Sequence, residues 1–160
     1  NYRVLVENNR LDDLRYLCEP TSGHEKRITS KFICDRGVSH ELVRHRVFSF
    51  AQESTRYCNY SKDKFGKELT FIKPSWWKEE DNEVATLYIQ PWRNIEHCYL
   101  TLIENGIKPQ DARAILPNAL KTEVVMTGFE SDWDHFFELR CAKTAHPDMQ
   151  VLANKLKELM

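Results

Sequence analysis

The chain has 160 residues, with 23 Lys and Arg against 24 Asp and Glu, 41% hydrophobic residues, five Gly and six Pro. This composition excludes collagen-like and low-complexity classes and argues against a disordered chain. No apolar run reaches the roughly 18 residues that a membrane helix needs, and the chain opens on Asn1 and Tyr2 without a basic and apolar leader. We therefore expect one soluble, cytoplasmic domain without membrane association.

The five cysteines are odd in number and scattered, with no close Cys-x-x-Cys pair: Cys18, Cys34, Cys58, Cys98 and Cys141. This pattern argues against a disulfide framework and against a zinc ribbon, so we expect free thiols. His40 and His45 are five residues apart, which does not match the i, i+4 spacing of a zinc-binding helix. No metal site is predicted.

Positive charge is concentrated between residues 21 and 67, which contain ten Lys and Arg against five Asp and Glu and so carry +5. The rest of the chain therefore carries −6, since the total is −1. A local basic surface in a nearly neutral protein indicates a bound anion more than duplex nucleic acid, which usually draws on a domain-wide positive field.

The first third of the chain predicts strands, one helix and a loop. Residues 2–6 alternate like a strand, and residues 27–34 alternate with Ile28, Ser30, Phe32 and Cys34 on one face. Asp35, Arg36 and Gly37 would end that second strand. Residues 38–50 place apolar side chains at helical spacing and predict a helix, which leads into a polar loop over residues 52–61.

A long amphipathic helix is predicted over residues 76–103, where Pro91 is expected to kink or restart it and Gly106 suits the position after its last turn. The other predicted elements are a short strand over 70–72 closed by Pro74, a short helix from Pro109 that Pro117 ends, a strand over 121–127, a helix opened by a capping box at 131–134 and running through Arg140, and a helix from Pro147 to Leu159. Together they predict a single compact α+β domain over residues 1–160, with a mostly antiparallel sheet packed with long amphipathic helices.

A basic, hydroxyl-rich motif over residues 44–57 begins within the helix predicted over 38–50 and continues into the polar loop. Its chemistry-bearing residues are Arg44, His45, Arg46, Ser54, Thr55 and Arg56. Guanidinium groups match phosphate oxygens through paired, charge-assisted hydrogen bonds, so the motif favours an anion. On a helix, Arg44 and Arg46 would point about 200° apart. They are therefore not expected to clamp one group unless different ligands or subunits face them. The alternative is a solvated helix face.

Two further arginines lie beside apolar segments. Arg140 ends the run that begins at Phe136, and its ordinary alternative is a cation at the negative end of a helix dipole. Arg113 precedes Ile115 and has a similar surface alternative. Neither a G-x-G-x-x-G nor a Walker pattern is present. A bound nucleotide or flavin therefore cannot be inferred from a glycine-rich phosphate-binding loop.

At these residues the sequence resembles the flavin-dependent thymidylate synthases. The family signature is Arg-His-Arg followed, after seven residues, by Ser, and Arg44, His45, Arg46 and Ser54 meet it. Residues 112–117 and 136–140 repeat further family motifs in the same order. The resemblance covers residue 27 to the C-terminus.

The resemblance implies reductive methylation of dUMP to dTMP. Methylenetetrahydrofolate would give the carbon, FAD would relay it with the hydride, and NADPH would reduce the flavin. The family also implies a homotetramer with active sites shared between subunits, and no nucleic acid partner is expected.

The resemblance also assigns site residues. The flavin positions are Arg44, His45, Arg46, Gln52 and His135. The dUMP positions are Glu41, Arg44, Gln52, Glu53, Ser54, Thr55, Arg56, Arg113 and Arg140. Ser54 and Arg140 are the catalytic positions, Arg140 as the residue that activates the pyrimidine, and Ser54 and Arg56 are expected to be the strongest phosphate donors.

Some positions depart from the family pattern. Gln52 replaces a flavin-side Glu of some members, so any role there is a neutral hydrogen bond, and Phe129 and Ser131 stand where others have Asn and Arg. Residues 23–25 repeat the Gly-His-Glu letters of an N-terminal family element but lie close to Arg44. We expect the chain to be the central and C-terminal part of the family domain. The alternative function is a catalytically incomplete nucleotide- or RNA-binding module that uses the basic region 21–67.

Overall fold

The computed structural model of the chain describes residues 2–17, 19, 21–78 and 82–160. Its helices and strands are α1 (Tyr2–Glu7), β1 (Arg27–Asp35), α2 (Arg36–Leu42), β2 (Ser49–Gln52), α3 (Asn82–Glu104), α4 (Pro109–Ala112), β3 (Lys121–Phe129), α5 (Glu130–Arg140) and α6 (Pro147–Leu159). Single 3₁₀ turns occur at Leu11–Tyr16, Asp63–Phe65 and Arg113–Ile115. The α+β class is confirmed. None of the described helices is long and apolar enough to cross a membrane.

The three strands form one antiparallel sheet in the order β1-β3-β2. Arg27 pairs with Phe129 at one end of β1, and Asp35 pairs with Lys121 at the other. Because side chains alternate across a sheet, β1 and β3 bury the same face, which carries Phe32, Cys34, Thr122, Val124 and Met126. The predicted face of β1 is therefore confirmed.

The main core lies between this face of the sheet and helices α2, α5 and α6. Its aromatic centre is Phe32, Phe48, Trp133, Phe136 and Phe137, surrounded by aliphatic residues that include Leu42, Val124, Met126 and Met149. A second cluster packs the long loop after β2 against α3 and α4 through Tyr60, Leu69, Tyr99, Ala112 and Leu120. Packing of α5 in the main core places its end beside the turn that follows α2.

The helix predicted over residues 38–50 is wrong in its second half, because α2 ends at Leu42. The chain then makes two tight turns, in which the amide of His45 donates to the carbonyl of Leu42 at 3.1 Å and the amide of Phe48 donates to that of His45 at 3.1 Å. Pairing of β2 with β3 supplies the next backbone hydrogen bonds. Val47 is 67% exposed and belongs to no apolar helical face.

Two predicted strands also differ from the structure. Residues 2–6 lie in α1 instead of a strand, and none of the described strands pairs with them. Residues 70–72 contribute only the isolated bridge between Phe71 and Leu120. Alternation over so few residues predicts a strand only where a partner edge is available.

The long amphipathic helix is confirmed as α3, whose described part begins at Asn82. The predicted start is wrong, because residues 76–78 are not helical, and residues 79–81 lie outside the described residues. The helix continues through Pro91. It ends in a Schellman turn: Gly106, at φ 82°, donates its amide to Ile103, and the next amide donates to Leu102.

The remaining helices begin at or close to the residues that predicted their N-termini. The helices predicted from Pro109 and Pro147 begin at those residues. The capping box of α5 lies two residues earlier than predicted, since the N-cap is Phe129 instead of Ser131 and the Asp132 carboxylate accepts the amide of Phe129 at 2.9 Å. Phe129 is therefore the N-cap residue, and Ser131 lies inside the first turn.

Candidate active site

Three predicted site residues meet where the end of α5 faces the end of α2. The Arg140 guanidinium donates from Nε to His45 Nε2 at 2.8 Å, from Nη1 to Glu41 Oε2 at 2.7 Å and from Nη2 to the Glu41 carbonyl at 3.2 Å. The side chains of Arg140 and Glu41 are 18% and 34% exposed. Each of the three guanidinium nitrogens thus donates one hydrogen bond within the chain, which holds the planar group in a fixed orientation.

His45 is the buried member of this group. Its ring contacts Phe136 edge to face, with ring centroids 5.1 Å apart, and lies 6.3 Å from the ring of Phe48. Burial, followed by the positive charge of Arg140 and that of His135, lowers the pKa of His45 to about 4. A neutral imidazole can accept the Arg140 hydrogen bond at Nε2, and its proton is then on Nδ1.

Arg44 and Arg46 flank His45 in the turn between α2 and β2, and both side chains are exposed. They do not lie on a helix, so the predicted separation of about 200° does not apply. The buried imidazole of His45 anchors the turn, and the residues before and after it in the sequence expose their guanidinium groups. That arrangement is suited to an anionic ligand.

Gln52 is turned toward the protein at the end of β2. Its Nε2 donates to Ser39 Oγ at 2.8 Å, with a longer contact of 3.4 Å to Thr122 Oγ1. Ser39 in turn donates its hydroxyl to the carbonyl of Arg36 at 2.8 Å. This chain of hydrogen bonds ties the last residue of β2 to the start of α2.

The loop after β2 is a tight turn closed on Ser54. The Ser54 carbonyl accepts the amides of Tyr57 at 3.0 Å and Cys58 at 2.9 Å. Thr55 is buried, whereas Ser54 and Arg56 are exposed, and the Arg56 guanidinium lies 5.3 Å from the centroid of the Tyr57 ring. The loop therefore presents one hydroxyl and one guanidinium outward.

Arg113 and His135 contact their own helical neighbours and not the Arg140 group. Arg113 is exposed and donates from Nε to the carbonyl of Gln110 at 3.1 Å. His135 is 66% exposed, and its Nδ1 lies 3.3 Å from Glu138 Oε2. Neither residue hydrogen-bonds with the Arg140 group, although His135 lies near enough for its charge to lower the pKa of His45.

The Gly-His-Glu letters at residues 23–25 have a structural use. Glu25 Oε1 accepts the backbone amide of Ser131 at 2.8 Å, in the first turn of α5. Hydrogen bonds from the Ser131 side chain and from this amide lower the pKa of the Glu25 carboxyl. The Arg27 guanidinium lies 4.8 Å from the centroid of the Phe129 ring. Both departures from the family pattern, Phe129 and Ser131, are thus engaged by the segment that leads into β1.

The motif analysis missed the residues that support this site. Ser39 and Arg36 lie on the first turns of α2, and Phe48 packs against His45 from the turn before β2. The apolar run at Phe136 was noted only as a helix face, although its ring contacts the imidazole. No sequence signal indicated these contacts, because they depend on the packing of α5 against the turn after α2.

Comparison with known proteins identifies the family to which this site belongs. The family described as "Thymidylate synthase complementing protein" matches residues 25–160. The chain therefore belongs to that family.

The curated relatives compared with this chain are named flavin-dependent thymidylate synthases. The chain is 32% identical over 125 residues to the flavin-dependent thymidylate synthase of Geobacter sulfurreducens, covering 78% of this chain and 52% of the relative. It is 35% identical to that of Pyrococcus horikoshii and 36% identical to that of Thermococcus kodakarensis, each over 125 residues, 78% of this chain and 50% of the relative. The chain thus spans about half the length of the curated relatives it matches.

A solved structure has the same fold. The flavin-dependent thymidylate synthase from Helicobacter pylori, crystallised with FAD and dUMP, matches with a TM-score of 0.61 and 21% identity over 84% of this chain and 67% of that chain. At this identity the match describes the fold alone. The family match does not favour the alternative of an incomplete nucleotide- or RNA-binding module.

Proposed function

We propose that the protein to which this chain belongs catalyses the reductive methylation of dUMP to dTMP. The observation that carries the proposal is the contact of Arg140 with Glu41 and His45, residues that lie 95 or more positions away in the sequence. His45 and Arg140 belong to the motifs that carry the family resemblance, and Glu41 is a nucleotide position that the resemblance implies. A helix cap alone would require neither a buried neutral imidazole nor a paired carboxylate beside the guanidinium.

FAD is the proposed cofactor, and the chemistry of the residues fits it. The two exposed guanidinium groups of Arg44 and Arg46 suit a ligand with a pyrophosphate, and His135 offers an exposed imidazole. Gln52 is a neutral hydrogen-bonding group whose amide nitrogen is already bound to Ser39. When bound, FAD would relay the one-carbon unit and the hydride.

In this proposal Arg140 and the loop over residues 54–56 hold the nucleotide. The loop places the Ser54 hydroxyl and the Arg56 guanidinium outward, where they can donate to a phosphate. Arg140 is fixed by Glu41 and His45, so its charge is oriented before substrate binds. A preorganised cation of this kind stabilises negative charge that develops on a pyrimidine during activation.

The wider assignment is also a proposal. Methylenetetrahydrofolate would be the carbon donor and NADPH the reductant, in a homotetramer with shared sites. Arg113 donates to the carbonyl of its own helical neighbour Gln110 and not to the Arg140 group, which supports sharing, because a residue on another subunit could then complete each site. The free thiols of Cys34, Cys58, Cys98 and Cys141 suit the cytoplasm.

The test is the substitution Arg140→Lys with the two half-reactions measured separately. Lys keeps the charge but loses the planar fork that donates to Glu41 and His45 together. We expect dUMP binding to remain measurable, methyl transfer to fall by about a hundredfold or more, and oxidation of NADPH by the flavin to be spared.

Arg93→Lys is the matched control, since Arg93 is exposed on α3. It should leave both half-reactions unchanged. Methyl transfer by Arg140→Lys at the rate of this control would contradict the catalytic role of Arg140, and binding of FAD without binding of dUMP by the unsubstituted protein would contradict the proposed substrate.

A further inference from the structure

His45 is buried in a turn whose neighbouring residues are exposed. The residue is 9% exposed, whereas Arg44 and Arg46 expose their side chains. The turn fixes the backbone of His45 on both sides, because its amide donates to the carbonyl of Leu42 and its carbonyl accepts the amide of Phe48, each at 3.1 Å. The imidazole therefore enters the core from a fixed point of the backbone.

Aromatic rings set the orientation of the imidazole. The ring of Phe136, on α5, meets it edge to face, with centroids 5.1 Å apart and 63° between the ring planes. The ring of Phe48 lies at 6.3 Å and 82°. Because both rings belong to the closely packed main core, the imidazole has little freedom to turn about its side-chain bonds. Its Nε2 atom is therefore held at a defined position.

Arg140 donates to that nitrogen and to one residue of α2. Its Nε donates to His45 Nε2 at 2.8 Å, and Nη1 and Nη2 donate to the side chain and the carbonyl of Glu41. A guanidinium has five N–H donors, so these bonds leave one N–H on each Nη atom. The direction of these two remaining donors is set by partners on two different segments of the chain.

His45 accepts this bond only as a neutral ring with its proton on Nδ1. Burial, which is the main cause, and the charges of Arg140 and His135 lower the pKa of His45 to about 4, so the ring is neutral near pH 7. Because Nε2 is used as an acceptor, a contact of His45 with a flavin could use Nδ1 alone. The two ring nitrogens thus correspond to two different roles for the residue.

We propose that His45 is a positioning residue for Arg140, which accepts the Nε–H of the guanidinium and so directs the two remaining N–H donors toward the pyrimidine. The family resemblance instead assigns His45 to the flavin. In our proposal the turn over residues 44–46 serves both sides of the site, because the residue between its two exposed arginines acts on the nucleotide through Arg140. The identity of the ligand rests on the proposed function, whereas the hydrogen bond does not.

Two substitutions separate the roles of the ring nitrogens. His45→Gln places an amide oxygen close to the position of Nε2, whereas His45→Asn places its amide close to the position of Nδ1 and leaves Nε2 without a replacement. A role through Arg140 should survive in His45→Gln and be lost in His45→Asn, and a flavin contact through Nδ1 predicts the reverse. His97→Gln and His97→Asn make the same changes at an exposed position on α3.

The first readout is NMR of the ligand-free protein. Chemical shifts of the ring nitrogens should show the Nδ1–H tautomer of His45 in the unsubstituted protein, a result that does not depend on the folding of any variant. Hydrogen exchange at Arg140 Nε should rise about tenfold in His45→Asn, which lacks the acceptor, and less than about twofold in His45→Gln.

The second readout is the pair of half-reactions. In His45→Asn we expect the kcat of methyl transfer to fall about tenfold or more, because Arg140 is less well oriented. The Kd for FAD and the oxidation of NADPH by the flavin should change by less than about twofold. His45→Gln should keep most of the methyl transfer, and both His97 variants should match the wild type.

Three results would overturn the positioning role. One is the Nε2–H tautomer in the unsubstituted protein, because that ring cannot accept from Arg140. Another is an equal loss of both half-reactions in His45→Gln and His45→Asn, as expected of a residue that only packs the core. The third is weaker FAD binding in His45→Gln than in His45→Asn, which would assign the residue to the flavin. If the wild type binds no dUMP but the tautomer and exchange results hold, the proposed function fails and the positioning of Arg140 stands.

Discussion

The pH dependence of stability between about pH 7 and pH 4 should report the protonation of His45. The imidazole accepts a hydrogen bond from Arg140 at Nε2 and is buried against Phe48 and Phe136. Its pKa falls from 6.5 to about 4 because of burial and the charges of Arg140 and His135. Protonation would remove the acceptor and place a second cation beside the guanidinium.

The lowered pKa of His45 determines whether the free energy of unfolding rises or falls with pH. Below about pH 6.5 the unfolded chain binds a proton at His45 while the folded chain does not, so the free energy of unfolding decreases as the pH falls. The full contribution is present above about pH 6.5 and is lost by about pH 4. A shift of this size corresponds to about 3 kcal/mol in total, of which about 2 kcal/mol is lost between about pH 7.5 and pH 5.

The assay is urea unfolding at a series of pH values for the wild type and two variants. His45→Gln removes the titrating group but keeps an acceptor for Arg140, so its stability should fall less steeply by about 2 kcal/mol over the same interval. His97→Gln, at an exposed position on α3, should follow the wild type. An NMR titration midpoint for His45 near its ordinary value, or parallel pH profiles for the wild type and His45→Gln, would refute the reasoning.

Three further substitutions test the packing and the site. Gly128→Ala should destabilise the protein by about 1–3 kcal/mol, because the new Cβ would overlap the ring of Phe48; an unchanged Tm would show that the ring can move aside. Glu41→Gln should cost about 1.5 kcal/mol in urea unfolding, since Arg140 loses its charged acceptor while both side chains keep some exposure; unfolding at the wild-type urea concentration would argue against the pair. Arg56→Ala should weaken dUMP binding by about 1.5–3 kcal/mol and FAD binding far less; equal losses in titration calorimetry would contradict this division.

The sequence predicted the elements whose signals are local. Alternation marked β1, residues 121–127 were predicted as the strand that is β3, and proline at the first turn marked the starts of α4 and α6. The Schellman turn at Gly106 needed only a residue that accepts a positive φ. These features depend on neighbours within a few residues, so one sequence was enough to find them.

The end of α2 could not be predicted in the same way. Val47 and Phe50 continue a helical spacing from Leu42, yet Phe50 lies in β2 and pairs with Met126. The choice between helix and strand was made by an available edge of β3, which is a tertiary contact. The motif over residues 44–46 was recognised correctly, but its placement on a helix was wrong for this reason.

In the candidate site, too, the sequence predicted the residues but not the tertiary contacts between them. Arg140, His45 and Glu41 were each named from the sequence, but their mutual contact required α5 to pack beside α2. The inward direction of Gln52 depends on the pairing of β2 with β3, in a segment that the sequence predicted as the end of a helix and the start of a loop. Residue types could therefore be predicted, whereas the choice between a ligand contact and a supporting contact could not.

The most direct test of the proposed function is tritium release from dUMP labelled at the carbon that becomes methylated. The protein is mixed with FAD, NADPH and methylenetetrahydrofolate, and each component is omitted in turn. We predict release that requires all of them and that falls by about a hundredfold or more in Arg140→Lys but not in Arg93→Lys. Absence of release from a protein that binds both FAD and dUMP, or release unaffected by Arg140→Lys, would contradict the account.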